Sequence, residues 1–326
     1  MEKINFNHSV IFFNLCILIS PFYLMLNFEP IILCLFLILI LGISHGALDN
    51  IKGKKLLKFF GYKSTISFYL AYILISLLII ILWLILPNIV LFLFLVVAAY
   101  HFGKEDTVFS FRRKFLISEC LFFLKGSSVI LTPLLLQRNA TNEIFRILNF
   151  NVFESAIFND QFLIILLCLS FLSSLYISNK KNTNLKGIMI MDFSSLIILN
   201  FFLTPILAFT LYFCFLHSVR HSITLIFELD KSFKTGLKKF INRAIPLTFV
   251  TGLIFLLAIY FLNNFYKLDE AIYKVIFIGL ASLTFPHILL EYLLEKNEKR
   301  TYNLFGITKR FLCRSQKSYR NSRKID

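Results

Sequence analysis

Five histidines lie within or at the ends of long apolar stretches, where an ionisable side chain is costly and by default marks function. They sit in Gly42-Ile43-Ser44-His45-Gly46-Ala47-Leu48-Asp49, in Ala99-Tyr100-His101-Phe102-Gly103-Lys104-Glu105-Asp106, in Leu216-His217-Ser218-Val219-Arg220-His221 and in Phe285-Pro286-His287. His217 and His221 are four apart and share a helix face, which is chelate spacing for one metal ion. Imidazole suits zinc, copper, iron and nickel. An all-nitrogen donor set with no thiolate pattern leans towards redox iron. A metal-bound imidazole usually gives its other N–H to a carboxylate or carbonyl. Asp49, Glu105 and Glu291 each follow a histidine by four residues and suit that role. Arg220 keeps its charge, and Asp192 is the carboxylate expected to pair with it. His8 is expected to be inert, Cys214 to pack, and Tyr100 to anchor at the membrane interface.

The elements that must position these groups follow from composition. The chain has 326 residues; 58% are hydrophobic, only 16% are charged, and the mean hydropathy is +0.77. A soluble domain carries roughly 25% charged residues, and a soluble core of this size could not hide so much apolar surface. Soluble, disordered, fibrous and disulfide-scaffold classes are excluded. What remains is an all-α, polytopic transmembrane helical bundle. Apolar blocks fall at 9–27, 30–49, 65–86, 88–103, 115–137, 161–179, 187–203, 205–228, 244–263 and 271–294, giving about ten helices. Residues 1–295 form the expected catalytic domain, and 296–326 a basic cytoplasmic tail suited to anionic lipid. The stretch 138–160 is polar and amphipathic.

The net charge of +16 sits in short runs between apolar blocks and in the tail, which argues for topology and against nucleic acid. Counted across the ten-helix partition, 28 basic residues share the side of the N-terminus and three lie opposite. Both termini are therefore expected in the cytoplasm. The first block has no small-x-small cleavage site and reads as a signal anchor. The six scattered cysteines read as membrane-buried hydrophobes. In this partition the five histidines all fall on even-numbered helices, in one band of depth near the cytoplasmic leaflet. Core histidines satisfied one by one would need no common depth. Gly42 and Gly46 form a small-residue motif that lets a neighbouring helix approach.

With these motifs in this order, the sequence resembles the Brp/Blh family of membrane β-carotene 15,15′-dioxygenases, from His45 to His287. The resemblance implies a non-haem iron(II) enzyme that uses O2 to cleave β-carotene at its central double bond into two retinals. Carried over by motif, the iron ligands fall on His45, His101, His217 and His221. Asp49, Glu105, His287 and Arg220 are expected behind the ligands or beside the substrate. Ser44 departs from the pattern, which has proline before the first histidine. The resemblance further implies a multi-pass protein of the inner (plasma) membrane, a substrate dissolved in the bilayer, and a retinal-binding rhodopsin as product acceptor. Two other classes use intramembrane histidines. A diiron lipid desaturase or hydroxylase normally needs eight or more of them, and this chain has six. A metal-ion transporter would show mid-membrane acids and repeated halves; acids are few here, and no repeat is visible.

The partition predicts that reporters fused after Asn179 and after Asn264 give opposite signals, the first cytoplasmic. Signals on one side from both would overturn it.

Overall fold

A computed structural model describes residues 2–23, 30–62, 64–107, 115–154, 158–178 and 183–322; the side chain of His45 lies outside what it describes. The described residues are helical throughout, with no strand among them. Helix α1 spans Glu2–Tyr23. Helix α2, Ile31–Leu37, runs on through a π turn, Ile38–Gly42, and a 3-10 turn, Ile43–Leu48, into α3, Asp49–Phe59. Then follow α4 (Ile66–Ile85), α5 (Pro87–Glu105), α6 (Phe115–Leu136), α7 (Arg138–Ile147), α8 (Asp160–Ser178) and α9 (Thr183–Phe202). Helix α10 (Pro205–Leu211) continues through a second π turn, Tyr212–Ser218, into α11 (Val219–Leu229), and the chain ends with α12 (Phe233–Leu262) and α13 (Leu268–Ser322).

Each of the ten apolar blocks is helical in its described part, and among the described residues nine helices are long and apolar enough to cross a membrane. The second block is the exception, a shorter apolar helix over Ile31–Gly42. Pro87 and Pro205 each stand at the first turn of a helix, where the missing N–H costs nothing. Three boundaries move outward. Helix α1 starts at Glu2, α12 starts at Phe233, and α13 continues through the basic tail to Ser322. Each extension is Lys- or Asn-bearing sequence, which an apolar-run criterion passes over although a helix accepts it. The polar stretch after 137 contains α7, with Thr141, Ile144 and Phe145 buried on one face.

The chain forms two compact units. One comprises residues 1–48 and 75–285; the other comprises 49–74 and 286–326. Within the first, the part of α4 from Ile75 on shows its side chains outward, Trp83 being its buried residue, whereas α5 buries a full stripe from Val90 to Gly103. Several inward hydroxyls bond to backbone carbonyls, which stand in for water in hydrocarbon. Thr132 donates to the Ser128 carbonyl at 2.5 Å, and Ser170 crosses from α8 to the Lys125 carbonyl at 3.0 Å.

Helices α5 and α6 meet backbone to backbone. A Cβ on Gly103 would stand 1.8 Å from the Phe122 carbonyl oxygen, and one on Gly126 would stand 1.8 Å from the Ala99 oxygen. This is small-residue packing, which replaces the hydrophobic effect between helices in lipid. Gly126→Leu is therefore expected to collapse the folded yield in membranes. Gly252→Ala, with open space around it, should keep or slightly raise the thermal midpoint in detergent, by about 0.5–1 kcal/mol of relief from helical glycine. Equal behaviour of the two variants would contradict the packing.

Candidate metal centre

Helix α5, the second π turn and the start of α11 bring three of the predicted histidines together. His101, one turn before the end of α5, faces His217 edge-on with ring centroids 5.3 Å apart. His217 is 1% exposed and His101 6%. His221 follows His217 on the same helical run, and Glu105 lies within electrostatic reach of His101, His217 and His221. His45 has its backbone in the 3-10 turn Ile43–Leu48; its side-chain placement is outside the described residues.

The second π turn carries His217 itself. An i→i+5 turn displaces the side-chain register of a helix, and such bulges concentrate at functional sites. His8, on α1, donates from Nε2 to the Phe215 carbonyl inside this turn at 2.9 Å, so the histidine expected to be inert ties α1 to the bulge. The first π turn ends at Gly42, where a Cβ would meet the Phe213 ring at 2.5 Å. Glycine there lets Phe213 seat. The Phe213 ring in turn stacks on His217 at 5.8 Å, and Phe102 presents its ring to His217 at 4.9 Å. The close approach expected of Gly42 is present, and its partner is this aromatic ring.

Two of the three expected carboxylates meet an imidazole, each on another helix, and the third, Glu291, meets a lysine. Glu105 Oε2 lies 3.2 Å from His221 Nδ1. His287 Nδ1 donates to Asp49, 2.9 Å from each carboxylate oxygen, and Tyr72 donates to Asp49 Oδ2 at 3.0 Å. Glu291 binds the Lys52 ammonium. Asp106 takes His217: Nδ1 donates to Oδ1 at 3.0 Å, and Tyr212 donates to Oδ2 at 2.5 Å. Sequence reasoning passed over Asp106 and Tyr212. The signal was available in the adjacent acids Glu105-Asp106 at the end of a histidine-bearing helix. Spacing along one helix could not say which imidazole each would meet.

Arg220 and Asp192 pair as expected. The guanidinium is 2% exposed and donates to both carboxylate oxygens, at 2.7 and 3.1 Å, and to Ser9 at 2.8 Å. Ser9 donates on to Asp192 at 2.8 Å. A two-pronged pair is the form in which a buried charge is tolerated. Lys125 and Glu119 also find partners. Lys125 donates to Thr107 at 3.0 Å and faces the Gly103 carbonyl at 3.4 Å, and Tyr100 donates to Glu119.

This donor set fits a divalent redox metal. With Nδ1–H committed to a carboxylate, an imidazole offers its Nε2 lone pair, the form in which histidine ligates, with raised basicity. In the second unit, Asp49, His287 and Glu291 offer donor atoms within 4.8 Å of one another. The aromatic rings on His217 keep water from its faces.

The family description of beta-carotene 15,15′-dioxygenases matches residues 36–295, a span containing all five histidines singled out above. A beta-carotene 15,15′-dioxygenase from the uncultured marine bacterium 66A03 is 30% identical over 275 residues, covering 81% of this chain and 94% of that protein. No solved structure matches the chain. A match of that length, on a multi-pass helical scaffold, places the chain in the beta-carotene 15,15′-dioxygenase family of carotenoid-cleaving dioxygenases.

Proposed function

We propose that this chain cleaves β-carotene at the 15,15′ double bond with O2, using iron(II) held by His45, His101, His217 and His221. The observation that carries the reading is the family match over the segment in which buried imidazoles are backed by carboxylates. The reaction balances by itself: the central C=C breaks, each carbon receives one oxygen atom of O2, and two retinals form. No external reductant is consumed, in keeping with a sequence that has no dinucleotide fingerprint. Iron(II), when bound, supplies the one-electron chemistry by which O2 and a polyene can react.

The residues of the chain do the remaining work. His45, His101, His217 and His221 would hold the ion as neutral imidazoles. Glu105 backs the His221 imidazole at Nδ1. The rings of Phe102 and Phe213 exclude water beside His217. Arg220 and Asp192 lock the turn between His217 and His221 from behind. The substrate dissolves in the bilayer, so entry from lipid suits a site within the helices. We place the enzyme in the inner (plasma) membrane with both termini in the cytoplasm, and a retinal-binding rhodopsin as acceptor of the product.

Co-expression in a β-carotene-producing bacterium should bleach the orange cells and yield retinal as sole product by chromatography, with iron(II) and O2 required. Unequal apocarotenals would reject the central register; unchanged β-carotene with iron and O2 present would reject the activity. Alanine at His45, His101, His217 or His221 should abolish retinal formation while membrane insertion persists. Glu105→Gln should weaken iron affinity by about 10–100-fold, the usual cost of losing a carboxylate behind a ligand. A variant lacking all four histidines that kept full iron occupancy would place the metal elsewhere.

A further inference from the structure

We propose that Asp106, braced by Tyr212, is a positioning residue that commits His217 to ligate through Nε2. The inference rests on the iron reading above and adds to it a residue that neither the family match nor the spacing of the motifs assigns.

Both oxygens of Asp106 are in use, each by a different residue of one turn. Oδ1 accepts from His217 Nδ1 at 3.0 Å, and Oδ2 accepts from the Tyr212 hydroxyl at 2.5 Å. Tyr212 and His217 belong to the same π turn. The carboxylate therefore spans the bulge, gripping its first residue and its ligand residue together. With Tyr212 on one oxygen, the carboxyl plane cannot swing away from the imidazole.

The carboxylate is itself held in place. Its residue caps α5, the backbone N–H bonding to the Phe102 carbonyl at 3.0 Å. On either side in sequence, Lys125 reaches Thr107 and Gly103 from α6. The Gly103–Gly126 contact lets α6 come close enough for that. Asp106 is 6% exposed, so water does not compete for its two oxygens. With Oδ1 accepting from Nδ1–H, Nε2 is the ring nitrogen left to ligate. A neutral amide at this position would present oxygen or nitrogen to Nδ1 and no longer specify which ring nitrogen carries the proton.

The test uses the full-length purified protein with cobalt(II) as the probe. Affinity is read by competition with a chelator, and coordination by the visible ligand-field spectrum. Asp106→Asn should bind cobalt about 10–100-fold more weakly than the native protein, with a shifted spectrum and a thermal midpoint close to native. Asp106→Glu should recover part of the affinity, and Tyr212→Phe should lose less than Asp106→Asn while shifting the spectrum in the same direction. Native affinity and spectrum in Asp106→Asn, with binding abolished in His217→Ala, would overturn this inference and leave the iron reading standing. Native binding in His217→Ala would overturn both. Should Asp106→Asn fail to accumulate, Tyr212→Phe decides, because it removes only a hydroxyl: an unchanged spectrum and affinity there would overturn the inference.

Discussion

An imidazole N–H buried among membrane helices has no water to bond, so its partner must be built into the protein. In this chain carboxylates fill that role for His217, His221 and His287. Much of the architecture follows from that need. A carboxylate in lipid is as costly as the histidine it serves, and has to be matched in turn. Asp106 takes the Tyr212 hydroxyl; Asp49 takes the Tyr72 hydroxyl; Arg220 takes Asp192 and Ser9. The chain has few charged residues, and many of those inside its spans belong to this matching.

Close helix contact is what makes the matching geometrically possible. Lys125 reaches α5 only because Gly103 and Gly126 let the two backbones touch. Phe213 stacks on His217 only because Gly42 leaves room for its ring. Glycines and charges far apart in the sequence thus serve one end. The fold presses α5, α6 and the π turn together, and the polar groups trapped between them satisfy one another.

The apolar blocks told where the helices are, because lipid imposes a length and an apolar character that are written directly in the residues. The histidine positions were equally plain, since ionisable groups stand out against such a background. Arg220 found its partner in advance because Asp192 is the carboxylate midway along its own span. The pairing of Glu105 with His221 and the role of Asp106 were not legible. Spacing of four residues describes neighbours on one helix, whereas the nearest imidazole here belongs to another helix. The π turns were hidden too, because no residue type announces an i→i+5 turn; it is stabilised by what packs on it, here His8, Phe213 and Asp106. The amphipathic starts of α1 and α12 were missed because polar residues in a helix look like loop to a criterion that seeks apolar runs.

The central claim is that imidazoles aimed by carboxylates hold iron inside the helical bundle. X-ray absorption at the iron edge of the purified, iron-loaded protein tests it most directly. The account predicts a first shell of nitrogen and oxygen atoms, with the outer-shell scattering characteristic of several imidazole rings and no sulfur. A first shell containing sulfur, or one without imidazole scattering, would contradict it.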